Sequence, residues 1–300
     1  MTTPAAAPSA SAGDLKSFSM TPAAAAQGPR AAALQMNSGA EVAANLRAAG
    51  RLLESARDQH AVLAVLPENF AYMGARDTDK LALAEDAGRG TIQDFLAQTA
   101  QRLGLWIVGG TIPLKVPGRS DRVYAASLVY DAAGRNVARY DKMHLFDVEV
   151  PGGERYRESA SIEPGAQNLA VIDSPVGKLG LTVCYDLRFP ELYRSLAQRG
   201  AEILLVPSAF TERTGRAHWD VLLRARAIEN QCYVVAPNQC GEHPGGRRTW
   251  GHSSVVDPWG QVLAQREDGE GVVLAPVPLA SLRKLRADFP VLNHRRLDSD

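Results

Sequence analysis

With 300 residues, 45% of them hydrophobic and 22% charged, the chain is long enough to bury a large core, and one large α/β domain is expected. Lys plus Arg and Asp plus Glu both number 33, so no net field draws the protein to nucleic acid or to an anionic membrane, and a small molecule is the default partner. Cys184, Cys232 and Cys240 are an odd set in a chain too large to need disulfides, which points to a reducing, cytoplasmic setting with free thiols.

Residues 1–30 are rich in Ala, Pro and Ser and read as a disordered tail, with the folded domain following over 31–300. Pro4, Pro8, Asp14 and Lys16 interrupt every candidate signal-peptide core. A transit peptide is the rival reading, and Met20 an alternative start. No apolar stretch approaches the roughly twenty residues that span a bilayer. From Ala31 onward apolar runs alternate with amphipathic stretches, the pattern of a layered α/β domain. Strands are expected at Ala31–Met36, Ala61–Leu66 and Leu105–Ile112, with helices at Glu41–Gln59 and Thr91–Leu103. A hairpin follows, Val123–Asp131 and Asn136–Asp141 flanking a turn at Ala132–Arg135. Phe146–Gly165 reads as a loop too long to be an idle connection. Strands return at Leu169–Ile172, Leu179–Val183, Glu202–Val206, Tyr233–Ala236, Ser253–Val256 and Gln261–Ala264. The helices among them are Phe189–Gln198, opening at Pro190, and His218–Asn230.

Cys184, in GLTVCYDLRFPEL, sits where an apolar strand turns abruptly into a helix. Backbone N–H groups at such a turn, that of Tyr185 among them, favour a thiolate and a developing oxyanion. A small buried hydrophobe is the ordinary reading of a lone cysteine. Glu68 follows AVLAVLP at the carboxyl end of a strand, the edge where α/β sheets place ligands, and suits a general base, an N-cap or surface acid being its plainer reading. Lys142, closing a hairpin strand in RYDKMHLFD, would neutralise charge on a tetrahedral intermediate or lower a thiol pKa, although an edge-strand lysine is commonly just exposed. Phosphate-loop, dinucleotide and serine-hydrolase signatures are missing, as is any zinc spacing among the six histidines, so no metal or cofactor is expected. His144 and His252 are candidate partners of a Cys–His pair or, more ordinarily, structural.

Glu68 in LPENF, Lys142 in YDKMHLFD and Cys184 in CYDLRFPEL, in that order, resemble the carbon–nitrogen hydrolase (nitrilase) superfamily from Ala31 to about Arg296. PSAFTERTGRAHWDVLLRARAIENQCYVVAPNQCG and GHSSVVDPWG narrow the resemblance to its Nit branch. It implies an α-β-β-α sandwich with mixed sheets, usually doubled across a homodimer, and a catalytic set of Glu68, Lys142, Cys184 and, in the ES…PG context, Glu158. It further implies cofactor-free hydrolysis of the primary amide of a small carboxylated metabolite through a thioester on Cys184, with Glu68 as base, Lys142 and the Tyr185 N–H on the oxyanion, Glu158 positioning water, and ammonia released. Arg188 is then a candidate carboxylate holder, or else a salt-bridge partner of Glu191 or Asp186. Phe210 and Thr214 are expected in the pocket. Pro237-Asn238 and the HPGGRR loop at His243–Arg248 depart from the branch pattern. A noncatalytic scaffold is the reading from another class, opposed by the four filled catalytic positions.

Overall fold

The computed structural model describes residues 28–150 and 154–297. Ala31–Leu34 is an unbroken apolar run, and its residues part to two sides of the strand that they form. Ala31 and Ala33 join one core cluster, Ala32 and Leu34 the other. That is the signature of a strand buried on both faces. It is β1 (Arg30–Gln35), followed by α1 (Val42–Asp58), β2 (Ala61–Val65), α2 (Thr91–Leu103), β3 (Trp106–Val108), β4 (Ile112–Lys115), β5 (Val123–Tyr130) and β6 (Asn136–Asp141). The expected third strand is split in two at Gly109-Gly110, and both pieces run antiparallel to β5. The β5–β6 turn closes as expected, with the Asp131 carboxylate accepting the N–H groups of Ala133 and Arg135 at 2.9 Å.

The stretch expected to be a loop after Phe146 contains a small hairpin, β7 (Asp147–Val150) paired with β8 (Glu154–Arg157), and then a 3-10 turn at Glu158–Ala160. Pro151, Gly152 and Gly153 disguised strands this short. The second half runs β9 (Val171–Ser174), β10 (Gly177–Leu181), α3 (Pro190–Gln198), β11 (Ile203–Leu205), α4 (Glu212–Asn230), β12 (Tyr233–Ala236), β13 (Cys240–Glu242), β14 (Arg248–Trp250), β15 (Ser253–Val256), β16 (Val262–Arg266), β17 (Gly271–Pro276) and α5 (Leu279–Asp288). Helix α4 begins six residues before the expected His218, and its first turns take in Gly215. A Cβ there would stand 2.3 Å from that of Trp250, so only glycine lets the helix lie this close to β14.

The strands make a seven-stranded mixed sheet, β17-β1-β2-β3-β5-β4 with β6 on the far edge of β5, and a six-stranded one, β16-β15-β12-β11-β10-β9. Between them lies a core in which Ala33, Leu63 and Val65 meet Leu181, Leu205 and Val235. Leu53 of α1 and Leu96 of α2, both fully buried, cover the outer face of the first sheet with Leu34 and Leu66. Each such side chain contributes about 1.5–3 kcal/mol of burial. Helices α3 and α4 cover the second sheet through Leu196, Trp219 and Leu223. The expected α-β-β-α sandwich is therefore present. The expected tail lies outside the described residues, apart from 28–30, of which Arg30 opens β1. Among the described residues no helix is long and apolar enough to cross a membrane.

Candidate active site

Strand β2 ends in Pro67-Glu68, and the chain beyond β3 closes over it. Gly110, at φ +45°, lies against Pro67, and a Cβ there would come within 1.9 Å of the Pro67 carbonyl oxygen. Any other residue would push away the strand end that carries Glu68. The Glu68 carboxylate is 3% exposed and divides its oxygens, Oε1 accepting from Lys142 Nζ at 2.8 Å and Oε2 from the Ala209 N–H at 2.9 Å. Lys142 leaves the end of β6 and is buried as well. Its ammonium lies 2.8 Å from both oxygens of Glu158, which also accepts the Phe146 N–H at 2.7 Å. One cation thus sits between two carboxylates.

Cys184 follows β10 on the opposite sheet, in a left-handed conformation, φ +46°, that a non-glycine residue adopts only at a cost of about 1–3 kcal/mol. Two anchors hold it there. Its own N–H donates to the Pro207 carbonyl at 2.9 Å. The fully buried Asp186 carboxylate accepts the Val183 N–H at 2.8 Å, the Tyr140 hydroxyl at 2.7 Å and the His144 N–H at 3.2 Å, tying the turn to the end of β6. The Cys184–Arg188 turn is a 3-10 helix, so the Tyr185 N–H stands at a position with no partner inside the helix. The thiol lies close enough to Glu68 to feel its charge.

The charges settle the resting protonation. Burial alone would raise the Glu68 carboxyl, but the Lys142 ammonium outweighs it and holds the group below its ordinary value. Burial disfavours the Lys142 ammonium, yet Glu158 and Glu68 lift its pKa well above the usual lysine range. Cys184 goes the other way from the expectation of a lowered thiol. Burial first, then the adjacent Glu68 charge, push its pKa up, and Lys142 offsets only part of that. The resting site is a neutral thiol beside an ionised Glu68. Iodoacetamide labelling of Cys184, followed by peptide mass, should therefore keep accelerating above pH 9. A plateau near the ordinary thiol pKa of about 8.5 would show a less perturbed sulfur.

Of the other expected residues, Phe210 and Thr214 line the pocket with Glu68, Lys142, Glu158 and Cys184. Arg188 does not line it. Its guanidinium lies 5.1 Å from the centre of the Phe210 ring and 3.2 Å from His218 Nδ1, a contact with neither Glu191 nor Asp186. His144 is structural, its Nδ1 2.6 Å from Asp186 and its ring stacked on Phe189. His252 is stacked on Trp250 in the same manner. Sequence reasoning passed over Lys80 and Arg247, which line the pocket. It noted Asn238 only as a departure, whereas the buried Asn238 amide accepts the Phe210 N–H at 2.9 Å and donates to the Gly251 carbonyl at 2.7 Å, fixing the pocket wall.

The carbon-nitrogen hydrolase family profile matches residues 30–287, nearly the whole described chain. The chain belongs to the carbon-nitrogen hydrolase family. It is 45% identical over 266 residues to a deaminated glutathione amidase of Synechocystis sp., covering 88% of this chain and 97% of that one. To the deaminated glutathione amidase of Homo sapiens it is 44% identical over 272 residues, 90% of this chain and 83% of that one. Among solved structures, Nit3 of Saccharomyces cerevisiae, a member of branch 10 of the nitrilase superfamily, superposes with a TM-score of 0.80 at 31% identity, covering 91% of this chain and 98% of that one. This carbon–nitrogen hydrolase is accordingly an amidase, and its partner is a small-molecule amide.

Proposed function

We propose that the amidase cleaves deaminated glutathione through a thioester on Cys184. The observation that carries the catalytic part is the Lys142 ammonium, 2.8 Å from Glu68 and from Glu158 beside the Cys184 thiol. The relatives named above support the substrate. Because the thiol is neutral at rest, sulfur attack and proton transfer to Glu68 occur together. A C–S bond forms, and the carbonyl electron pair moves to oxygen, where the Lys142 ammonium and the Tyr185 N–H hold it. Glu68 then gives its proton to the amide nitrogen, the C–N bond breaks and the amine departs. Water, deprotonated by Glu68, attacks the thioester, and the returning proton restores the thiol. Glu158, gripping Lys142 with both oxygens, keeps the ammonium aimed at the carbonyl.

Ammonia leaves only when the amide is primary. Both amides of the glutathione skeleton are secondary, so with this substrate the departing amine is itself a peptide fragment. Lys80, which makes no ion pair among the described residues, is the cation placed to meet a carboxylate on the acyl side. Phe210 and Thr214 flank the acyl chain, and Arg188 acts through the Phe210 ring that it packs on. The reading sets one domain over residues 31–300, working as a homodimer in the reducing cytoplasm, where the three unpaired cysteines persist. The test is a panel of deaminated glutathione, α-ketoglutaramate and an N-carbamoyl amino acid, followed by appearance of the acid product. Deaminated glutathione should lead in kcat/KM by at least about tenfold, equivalent to 1.4 kcal/mol of transition-state binding. Turnover no faster than that of α-ketoglutaramate would leave an ω-amidase instead.

A further inference from the structure

The slot around Cys184 has about 30 Å³ of free volume, space for a couple of waters, and opens past Asp77, Tyr156 and Arg247. The same three residues form one wall of a second, much larger groove of about 720 Å³. Among the described residues this groove is lined by Arg155, Arg213, Arg216, Arg247 and Arg248, against the carboxylates of Asp77 and Glu212. The arginines come from three places, Arg155 from β8. Arg213 and Arg216 ride on the first turns of α4, and Arg247 and Arg248 end the HPGGRR loop. That loop is set against the body of the protein by Gly245, at φ +82°, whose Cβ would stand 2.9 Å from the Ala75 carbonyl oxygen.

Arg247 stands at the junction of slot and groove with its donors poorly used. Nη1 is 3.9 Å from Asp77, and Nη2 reaches the Ala209 carbonyl at 3.5 Å. Its buried Nε has no hydrogen-bond partner. Buried arginine donors left open in this way are rare, and a planar carboxylate satisfies two of them at once. Beyond it, Arg216 is stacked over Trp250 and pairs with Glu212 at 3.4 Å, its side chain exposed.

We propose that this groove is the subsite for the departing amine, and that it selects an amine bearing a carboxylate, with Arg247 as the first contact and Arg216 beyond. The inference rests on the reading of deaminated glutathione as substrate. The slot, lined by Lys80, Phe210 and Thr214 as well as Cys184, takes the amide and the acyl side. A two-residue amine, extended, reaches about 7 Å from the scissile nitrogen, so its terminal carboxylate falls outside the slot and into the arginine-lined space.

The experiment compares deaminated glutathione with its C-terminal carboxamide, identical except for the charge that the groove would read. The wild-type enzyme should favour the free carboxylate by at least about tenfold in kcat/KM, and added salt should shrink the preference by screening it. Arg247→Gln and Arg216→Gln should each cut the preference, the double variant to about twofold or less. Arg216 is 71% exposed, which keeps its variant folded. Equal turnover of the two compounds by the wild type, or an undiminished preference in both single variants, would overturn the subsite. If neither compound is turned over while α-ketoglutaramate is, the substrate reading falls and the inference with it.

Discussion

Replacing Cys184 with alanine should reduce amide hydrolysis by about 10⁶-fold, the loss seen when a nucleophile is deleted from a catalytic unit, or about 8 kcal/mol of barrier. The fold should survive. The sulfur is small, and the left-handed backbone at this position is held by the Pro207 carbonyl and the Asp186 carboxylate, neither of which the substitution touches. Alanine also removes a desolvated thiol that faces an ionised carboxylate, which offsets part of the lost packing, so stability should change by no more than about 1 kcal/mol. Two measurements separate the outcomes. Acid-quenched wild-type enzyme at saturating substrate should carry the acyl mass on the Cys184 peptide, and the variant should carry none. If the variant keeps more than a thousandth of the activity, Cys184 is not the nucleophile.

How much of this was legible before the structure depends on the range of the interactions involved. Glu68 and Cys184 each stand just past a strand whose apolar run is plain in the sequence, and Lys142 just past a strand that the hairpin turn marks, so the local pattern alone delivers them to a sheet edge. What the pattern cannot supply is the sign of the thiol shift, because that comes first from burial between the two sheets and then from Glu68, 116 positions earlier in the chain and on the opposite sheet. Asp186 and Asn238 were overlooked as structural groups for the same reason: their partners, Tyr140 and Phe210, lie 46 and 28 residues away. Arg188 is near enough to Cys184 to feel its charge, but the 3-10 turn sets its guanidinium over the Phe210 ring rather than among the residues that line the slot. Strands β13 and β14, only three residues each, had no periodicity to read, although the loop that joins them bears Arg247.

Lys142→Met tests the electrostatic core of the site by removing one charge from a row of three. In the wild type the ammonium compensates Glu68 and Glu158, whose side chains are 4% and 16% exposed. The methionine variant leaves two carboxylates facing one another across an apolar side chain, and breaking a buried pair in this way costs about 3–5 kcal/mol at neutral pH. Its signature is the direction of the pH dependence. Wild-type Glu68 is held below its ordinary value of 4.5, so its contribution is fully present above the unfolded pKa and is lost as pH falls through the folded one. In the variant the same carboxyl, still buried but without its cation, titrates above its unfolded value. Its contribution is then greatest at low pH and is lost as pH rises. Between pH 4.5 and 7 this carboxyl should add nothing to the pH slope of the wild-type urea midpoint and make the variant's fall, and adding Glu68→Gln to the variant should flatten the curve and restore part of the midpoint. Parallel curves for wild type and variant would mean that Lys142 does not carry the charge balance of the site. Turnover should fall along with stability in Lys142→Met, but should stay lost in the double variant that regains its fold, because the oxyanion still lacks its ammonium and the sulfur its base.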